Sequence, residues 1–411
     1  MKKLMIAASA LTLLTFAACK KDAQKQGEQN VRAGVLPNGS TIPGIISGNV
    51  ELIENGTYYL DGKSYVTPGG EIVINKGATI KGISKSTPAE ASALIVTRGG
   101  LIHAVGTVEQ PIVFTSNNGT PAVGDWGGVV ILGSAPCNKV GASIEGIDLP
   151  SLPPGVDVQY GGSNATDSSG ILKYVRIEWA GANVSDNNEL NSLTLGGVGS
   201  HTTLDYIQVS YGRDDAFEFF GGTVNASHLV SLNTNDDILD TDHGFTGTLS
   251  YVLAIRRPGF IYADANGIES DNDANSSSDT PRTRPTIEYA TFIAGQNSAF
   301  LGTLNAARFR RNTGFNVTNS IFMGYNNGTT ETEGASGVFT GNVVHVFLTL
   351  GAINPLTNET YIHATDANAD IQLVDPFSLL PNFDPSTTTV GSGKGCNPAF
   401  DYWFLTWTAG L

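Results

Sequence analysis

Positive charge is scarce in this sequence. It has 23 lysines and arginines against 38 aspartates and glutamates, which gives a net charge of −15. Removal of residues 1–18, which include two lysines, would leave −17. A domain this acidic does not attract nucleic acid or anionic lipid, because both are negatively charged. It suits divalent cations and neutral or cationic ligands, although a high negative charge also keeps many proteins soluble.

Long hydrophobic runs are missing beyond the N-terminus. We therefore expect that no later segment spans a bilayer and that the protein does not form a pore or a transporter by itself. The chain starts with Met1 and two lysines, and an apolar run then extends from Leu4 to Ala18. This pattern predicts a secretory signal peptide over residues 1–18.

The end of that signal resembles the processing site of bacterial lipoproteins. Phe16, Ala17 and Ala18 precede Cys19, which would be the acylated first residue, carrying chains such as palmitate. Lys20 follows the cysteine in place of the aspartate of inner-membrane lipoproteins, so the resemblance implies the outer membrane and the cell surface. The alternative is an ordinary cleaved signal with a chance cysteine. Several acyl chains would anchor the protein stably.

Cysteine is nearly absent from the rest of the chain. Only Cys137 and Cys396 remain after Cys19. An exported protein lies in an oxidising compartment, so these two are a candidate disulfide. They would have to approach within about 7 Å between Cα atoms.

Apolar stripes with helical spacing are also scarce. Short runs rich in Val, Ile, Thr, Tyr and Phe are bounded by Gly, Asn, Asp and Pro, which favours an all-β protein with tight turns. Tyr206, His228 and Tyr251 recur in similar β-rich contexts, at spacings of 22 and 23 residues. A period in the low twenties predicts a β-solenoid, in which each coil completes the core of the next. The spacings from Tyr174 to Tyr206 and from Tyr251 to Tyr289 are longer, which indicates coils with inserted loops.

Five segments carry a further signal, namely PIVFTS, GDWGGVVILG, LKYVRIEWAG, YGRDDAFEFFGGTVNA and NGIESDND. They resemble segments of the right-handed parallel β-helix proteins of the pectate-lyase-like superfamily, and among them a set of outer-membrane lipoproteins. The resemblance implies an all-β right-handed parallel β-helix (solenoid) with long inserted loops. We predict a signal peptide at 1–18, a flexible tether at 19–45 and a β-helix domain at 46–411 with an aromatic C-terminal cap. Residues 137–170, rich in Pro, Gly and Ser, are predicted to leave the coil as a long loop.

Three acidic segments are predicted to stack on successive coils. If Phe217, Leu239 and Ile268 point inward, the next residue of each segment points outward, because side chains alternate along a strand. Stacked carboxylates about 4.8 Å apart repel one another and would favour Ca²⁺, which binds oxygen ligands. The alternative is a solvated acidic surface. The candidate metal ligands are Asp215, Glu218, Asp237, Asp240, Asp242, Glu269 and Asp271.

Catalytic candidates are few. Calcium-dependent pectate lyases use an arginine beside carboxylate-bound Ca²⁺ as a base, so the resemblance makes Arg308 and Arg310 candidates, although both arginines could simply neutralise the acidic face. His243 lies next to the acidic cluster and is the third candidate. Exposed aromatic residues offer surfaces for sugar rings, and Trp126, Trp179, Tyr211 and Tyr325 lie near predicted strand ends.

Three functions remain open from the sequence. The first is a cell-surface binding or accessory lipoprotein that captures a glycan or nutrient, beside an outer-membrane importer. The second is a Ca²⁺-dependent polysaccharide lyase or another carbohydrate-active enzyme. The third is a structural or adhesive surface protein. A β-helix hosts all three, so the fold alone does not separate them.

Overall fold

The protein is an almost purely β-stranded molecule. The computed structural model describes residues 30–139, 141–144, 146–147, 152–185, 188–257, 260, 265–296, 304–362, 366–376, 382–385, 393–397 and 402–411. The helices in this part are a single turn at Pro88–Glu90 and α1 (Ala367–Ile371). Neither is long and apolar enough to cross a membrane, and nothing else among these residues is a membrane-spanning helix.

The strands are β1 (Asn30–Leu36), β2 (Ile45–Leu52), β3 (Thr57–Leu60), β4 (Lys63–Val66), β5 (Glu71–Asn75), β6 (Thr79–Gly82), β7 (Ala93–Val96), β8 (Leu101–Val105), β9 (Ile112–Ser116), β10 (Gly128–Leu132), β11 (Gly170–Glu178), β12 (Asn183–Ser185), β13 (Asn188–Glu189), β14 (Leu193–Gly196), β15 (Thr203–Ser210), β16 (Phe217–Phe220), β17 (Ala226–Leu232), β18 (Leu239–Asp242), β19 (Thr248–Ile255), β20 (Ile268–Ser270), β21 (Thr286–Ile293), β22 (Asn305–Phe309), β23 (Gly314–Thr318), β24 (Ile321–Glu331), β25 (Ser336–Thr340), β26 (Val343–Gly351), β27 (Glu359–Ile362), β28 (Leu373–Asp375) and β29 (Asn382–Pro385).

Twenty-five of these strands form one continuous parallel sheet that winds around three faces. The first face stacks β4, β7, β10, β14, β16, β18, β20 and β22 in that order. The second face stacks β2, β5 and β8 and continues with the first halves of β11, β15, β17, β19 and β21. The third face stacks β3, β6 and β9 and continues with the second halves of those long strands. The predicted parallel β-helix is therefore confirmed.

The repeated marker residue is a corner of the solenoid. Tyr206, His228 and Tyr251 each break the pairing between the two halves of a long strand, and they have φ values of 55°, 53° and 56°. This left-handed conformation turns the chain from the second face to the third within one residue. Their rings stack along the axis, with centroids 4.2 and 5.1 Å apart. Ring stacking between coils partly offsets the cost of the unusual φ.

The hydrophobic core fills the space inside the three faces. Inward residues of neighbouring coils form one cluster that extends from Ile42 to Ile353. Polar residues therefore lie on the outer surfaces of the faces, where inserted segments can cover them.

The solenoid begins earlier than predicted. Residues of the expected tether form β1, which pairs in parallel with β2 and so belongs to the ladder. Leu36 of this strand packs against the hydrophobic core, although the composition of 19–45 is polar overall. Residues 1–29, with the predicted signal peptide and Cys19, lie outside the described residues.

The structure contains no disulfide between Cys137 and Cys396, the candidate pair. Cys137 packs with the segment that covers the first face, whereas Cys396 is buried in a separate cluster with the C-terminal residues. The two cysteines therefore belong to different parts of the molecule.

The aromatic C-terminus does not cover the end of the solenoid. Its backbone contacts Asn319 through Gly395, then Thr291 through Cys396, and finally Gln208 near its end. It thus runs back against the coil order along the outside, across the corner between the second and third faces. We call residues 393–397 and 402–411 the C-terminal strap.

Candidate functional site

The acidic residues of three coils form one column on the first face. The register pairs Glu218 with Asp240 and Asp240 with Glu269. The preceding residue of each coil is fully buried in the core, as the alternation predicts. The carboxylates nevertheless have little contact with solvent, because Glu218 and Glu269 are each only 8% exposed. This face is therefore not a simple solvated acidic surface.

An inserted segment covers the column and turns it into a cavity. The segment spans residues 137–162, and we call its described part the wall segment. Its residue Ile144 packs in a cluster with residues of β7, β10 and the β12 region, over the outer surface of the first face. The cavity is open to solvent on one side and has a volume of about 230 Å³. Its lining contains eight acidic residues and no basic one, and consists of Ile144, Glu189, Asn191, Asp214, Asp215, Glu218, Phe220, Asp236, Asp237, Asp240 and Glu269.

A ladder of side chains fixes the turn that leads into each strand of the column. Each ladder residue accepts a hydrogen bond, through its Oδ1, from the backbone N–H of the equivalent residue on the next coil. Asn191 accepts from Asp215 at 3.1 Å, Asp215 accepts from Asp237 at 2.9 Å, and Asp237 accepts from Asn266. Asn266 in turn accepts from Asn305 at 3.3 Å. An Asp or an Asn satisfies this ladder equally well, because only an oxygen acceptor is needed.

The other terminal atom of each ladder side chain is Nδ2 in asparagine and Oδ2 in aspartate, and this atom distinguishes the two residues. The Asn191 amide donates its Nδ2 to Glu218, and the Asn266 amide donates to Glu269 at 3.5 Å. Asp215 and Asp237 have no N–H to offer. At those two coils, a carboxylate oxygen stands where the neighbouring coils place an amide donor. The centre of the cavity therefore holds two additional carboxylates, Asp215 and Asp237, in place of amides.

Three carboxylates meet at this centre. Oxygen atoms of Asp215, Glu218 and Asp240 all lie within 4.8 Å of one another. Two charges at that distance repel by about 3.5 kcal/mol at an effective dielectric constant of 20. The Oδ1 of Asp240 is buried and has no hydrogen-bond partner among the described residues. A second group, Asp214, Asp215 and Asp236, lies nearer the surface and shares Asp215.

Burial and mutual repulsion make the ionised state of these acids unfavourable. Burial raises the pKa of Asp240 well above its ordinary value, and the charges of Glu218 and Glu269 add to this. Burial likewise raises the pKa of Asp215, with Asp214 and Asp240 as the next causes. Such a site is relieved either by protons or by a cation.

Comparison with known proteins agrees with this architecture. A family model described as a pectate-lyase-like β-helix domain matches residues 44–409. The chain belongs to the pectate-lyase-like β-helix family. Neither curated proteins nor solved structures give a significant match. The family defines the fold of this β-helix protein, and its activity has to be argued from the site.

The arginines of this β-helix neutralise one end of the acidic column. Arg308 is the next residue of the column after Glu269, and its Nη1 lies 3.2 Å from that carboxylate. Arg310 pairs with both Glu269 and Asp271, and its Nε is 2.8 Å from Asp271 Oδ1. Burial alone would lower the pKa of Arg310, but the bonds and charges of Asp271 and Glu269 outweigh it and raise the pKa. A guanidinium held in this way is a poor proton acceptor.

Two of the seven predicted metal ligands lie away from the cavity lining. Asp271 is occupied by Arg310 and by Arg311, whose Nη1 is 2.7 Å from Asp271 Oδ2. Asp242 shares the face with Asp240 but is not part of the lining. The structure therefore brings five of the seven candidate ligands into the lining, namely Asp215, Glu218, Asp237, Asp240 and Glu269, and places the other two outside it.

His243 is buried between the column and the wall segment. Its Nδ1 lies 2.6 Å from the Tyr160 hydroxyl, and its Nε2 lies 3.5 Å from Asp242 Oδ2. Burial lowers the pKa of His243 to about 4, so the ring is neutral at physiological pH. Tyr160 therefore donates its hydroxyl proton to Nδ1, and the Nε2–H faces Asp242. Both ring nitrogens are engaged, which does not favour a catalytic role for this histidine.

The aromatic residues are less accessible than the sequence predicts. Trp126 and Tyr325 are fully buried. Trp179 and Tyr211 are half-buried and stack with ring centroids 4.1 Å apart. Of the four candidates, only this pair retains an aromatic surface of the kind that sugar rings contact.

Sequence reasoning predicted residues 137–170 as a long loop but not that its wall segment lines a cavity, and it missed the ladder and the outer acids Asp214 and Asp236. A usable signal existed for the ladder. The doubled aspartates at 214–215 and 236–237 follow Asn191 at one-coil spacing and precede Asn266, so an alternation of Asn and Asp at one turn position was visible. The wall segment left no comparable signal, because it has no periodicity.

The stability of the metal-free protein is expected to increase as the pH falls from about 8 to about 5. Burial raises the folded-state pKa of Asp242 to about 7 and raises those of Asp215 and Asp240 as well. An unfolded Asp titrates near 3.9, so in this window the folded state binds more protons and its stability falls as pH rises. His243 has a lowered pKa and opposes this trend below about pH 6.5, but it is one group against three aspartates.

Thermal unfolding in the presence of a chelator, measured across this pH range, checks the prediction. Excess Ca²⁺ provides the comparison, because a bound cation would offset the repulsion and flatten the profile. A melting temperature in chelator that is highest at pH 8 contradicts the prediction.

Proposed function

We propose that the protein is a lipid-anchored β-helix of the cell envelope that binds Ca²⁺ in the acidic cavity and uses it to hold a glycan. The observation that carries the proposal is the meeting of Asp215, Glu218 and Asp240 within 4.8 Å, at coils where the ladder lacks its amide donor. A bound cation would stabilise the carboxylates at these coils, as hydrogen-bond donation from the asparagine amides does on the neighbouring coils.

The chemistry of the lining fits calcium. The donor atoms are carboxylate oxygens, which suit a hard cation with six to eight oxygen ligands. The buried Oδ1 of Asp240 would gain a partner. The cavity volume of about 230 Å³ also leaves room for water, since one water occupies about 30 Å³. The side chains that would hold the cation are those of Asp215, Glu218 and Asp240.

The outer part of the cavity supports a role in ligand capture. Asp236 is exposed and Asp214 is half-buried, so the acidic cluster extends from the buried centre to the surface. Hydroxyl groups of a sugar are oxygen ligands and could complete the coordination of a cation held there. The half-buried pair of Trp179 and Tyr211 follows the same edge of the coils and offers a face for a sugar ring.

Calorimetric titration of the purified protein with Ca²⁺, and with Mg²⁺ for comparison, tests the cation site. We expect saturable binding of Ca²⁺ and a rise in melting temperature, because a ligand that binds only the folded state stabilises it. A glycan array read with and without chelator then tests the ligand. Absence of heat and of any thermal shift would remove the cation from the proposal.

The cellular location rests on the sequence around Cys19. A lipid anchor there, followed by Lys20, supports attachment to the outer membrane, and a role beside an outer-membrane importer is part of the proposal. Labelling with palmitate in the native host is expected for the natural chain and lost in Cys19→Ser. Equal labelling of both chains would exclude this anchor.

A Ca²⁺-dependent polysaccharide lyase is the second candidate. The position of Arg308 directly beyond Glu269 in the acidic column favours it. The pairing of Arg310 with two carboxylates weighs against it, because a lyase needs an arginine that can take a proton. Ultraviolet absorbance of unsaturated uronate products, with polyuronates as substrate, separates the two functions.

A further inference from the structure

The apolar side of the acidic cavity is provided by the wall segment. Ile144 lines the cavity and is buried. Its backbone position depends on a short two-stranded arrangement within the segment. Ser143 pairs with Gln159, and the Tyr160 N–H donates to the Ala142 carbonyl at 2.9 Å. Any movement of Tyr160 therefore moves the strand that carries Ile144.

Tyr160 itself is seated on the first face. Its ring lies over Gly196, where a Cβ atom would come within 2.7 Å of the Tyr160 Cγ. The ring centroid is 6.1 Å from that of Phe220, a residue of the cavity lining. The hydroxyl is 2.6 Å from His243 Nδ1. The glycine gives close packing, and the histidine, which directly follows β18 of the acidic column, gives the ring its polar contact.

The wall and the carboxylates oppose each other when no cation is present. An apolar side chain over ionised Asp215, Glu218 and Asp240 removes water that would otherwise solvate them, which is unfavourable. With a cation in place, the same exclusion of water strengthens the attraction between ion and carboxylates. The position of the wall and the binding of the cation are therefore coupled, and each favours the other.

We propose that Tyr160 and His243 are positioning residues of the cation site, which keep the wall segment against the acidic column before the ion binds. The inference rests on the proposed Ca²⁺ site. When the binding-competent arrangement is only partly populated, the apparent affinity falls by that fraction. Loss of the Tyr160–His243 bond would therefore weaken binding, although neither residue touches the ion.

The test is Tyr160→Phe, with Tyr58→Phe as the matched control. Tyr58 is also fully buried, and its hydroxyl accepts from the Ile53 N–H at 2.8 Å and donates to the Leu36 carbonyl at 3.1 Å. It lies in the first coils of the solenoid. Both variants lose a buried tyrosine hydroxyl and are expected to melt earlier. Only Tyr160→Phe is expected to weaken Ca²⁺ binding in calorimetry, by about tenfold, which corresponds to roughly 1.4 kcal/mol.

Hydrogen exchange of the backbone amides provides a readout that needs no cation. In metal-free Tyr160→Phe, the amides of residues 141–144 and 159–160 are expected to exchange faster than in the natural chain, and in Tyr58→Phe they are not. Equal exchange in all three chains overturns the positioning role. Equal Ca²⁺ affinity in Tyr160→Phe and the natural chain overturns its coupling to the site. A natural chain that binds no Ca²⁺, with faster exchange in Tyr160→Phe, overturns the proposed function and the coupling while the positioning of the wall stands.

Discussion

Replacement of Asp215 by asparagine is expected to abolish Ca²⁺ binding and to stabilise the metal-free protein at the same time. The hydrogen-bond ladder explains the expected gain in stability. An asparagine at 215 keeps the Oδ1 that accepts from the Asp237 N–H. It also adds an amide donor where the carboxylates of Glu218 and Asp240 now face a third carboxylate. Asn191, on the coil before, and Asn266, two coils after, already use their amides in this way.

The expected size of the stabilisation follows from the charges involved. A hydrogen bond to a charged group contributes about 1.5–3 kcal/mol, and removal of one charge also relieves repulsion. We therefore expect the free energy of unfolding in chelator to rise by about 2 kcal/mol, measured by chemical denaturation. Most substitutions of buried polar groups destabilise a protein, so a gain here would be specific to an aspartate placed where the fold accepts an asparagine.

The same change removes one of three carboxylates from the cation site. We expect the affinity for Ca²⁺ to fall at least about 100-fold, which corresponds to roughly 2.7 kcal/mol. The matched control is Asp279→Asn, the same change of atoms and charge at an exposed position. The control is expected to leave both affinity and stability unchanged. A destabilised Asp215→Asn protein, or one that binds Ca²⁺ as the natural chain does, would contradict the account of the ladder.

The fold could be predicted from the sequence because a solenoid repeats the same local structural unit many times. The spacing of Tyr206, His228 and Tyr251 reveals the coil, and the alternation around Phe217 and Glu218 assigns the two surfaces of a strand. The left-handed conformation of the marker residues was not predictable. Tyrosine does not favour that conformation, and it is stabilised by ring stacking between coils, which requires the coils to be in place already.

The site was only partly predictable because its walls come from distant parts of the chain. Alternation places Asp242 on the same side as Asp240, but the sequence does not show that the two lie in different surroundings. Asp271 resembled a ligand until Arg310, thirty-nine residues later, was found to pair with it. Ile144 comes from a segment without periodicity, so nothing local indicates what it covers. Such contacts depend on tertiary packing rather than on spacing.

The C-terminal strap leads to the prediction with the largest effect on stability. Trp407→Ala is expected to lower the free energy of unfolding by about 3–5 kcal/mol, the usual range for truncation of a buried aromatic residue. Trp407 is 0% exposed. Its ring meets those of Tyr174 and Tyr206 edge-on, with centroids 6.0 Å away in both cases, and its Nε1 donates to the Trp403 carbonyl at 2.8 Å.

The loss is not confined to a single coil, because the strap bridges several coils. A solenoid otherwise joins each coil only to its neighbours, so a contact that reaches from Asn319 back to Gln208 adds a long-range connection. The control is Leu405→Ala, since Leu405 belongs to the same strap but is 47% exposed. That variant is expected to change stability by less than about 0.5 kcal/mol. Equal losses in the two variants would mean that the strap is held by its backbone and not by its buried rings. In both variants the affinity for Ca²⁺ should stay as it is in the natural chain, because the strap lies at the corner of the second and third faces and the acidic cavity lies on the first.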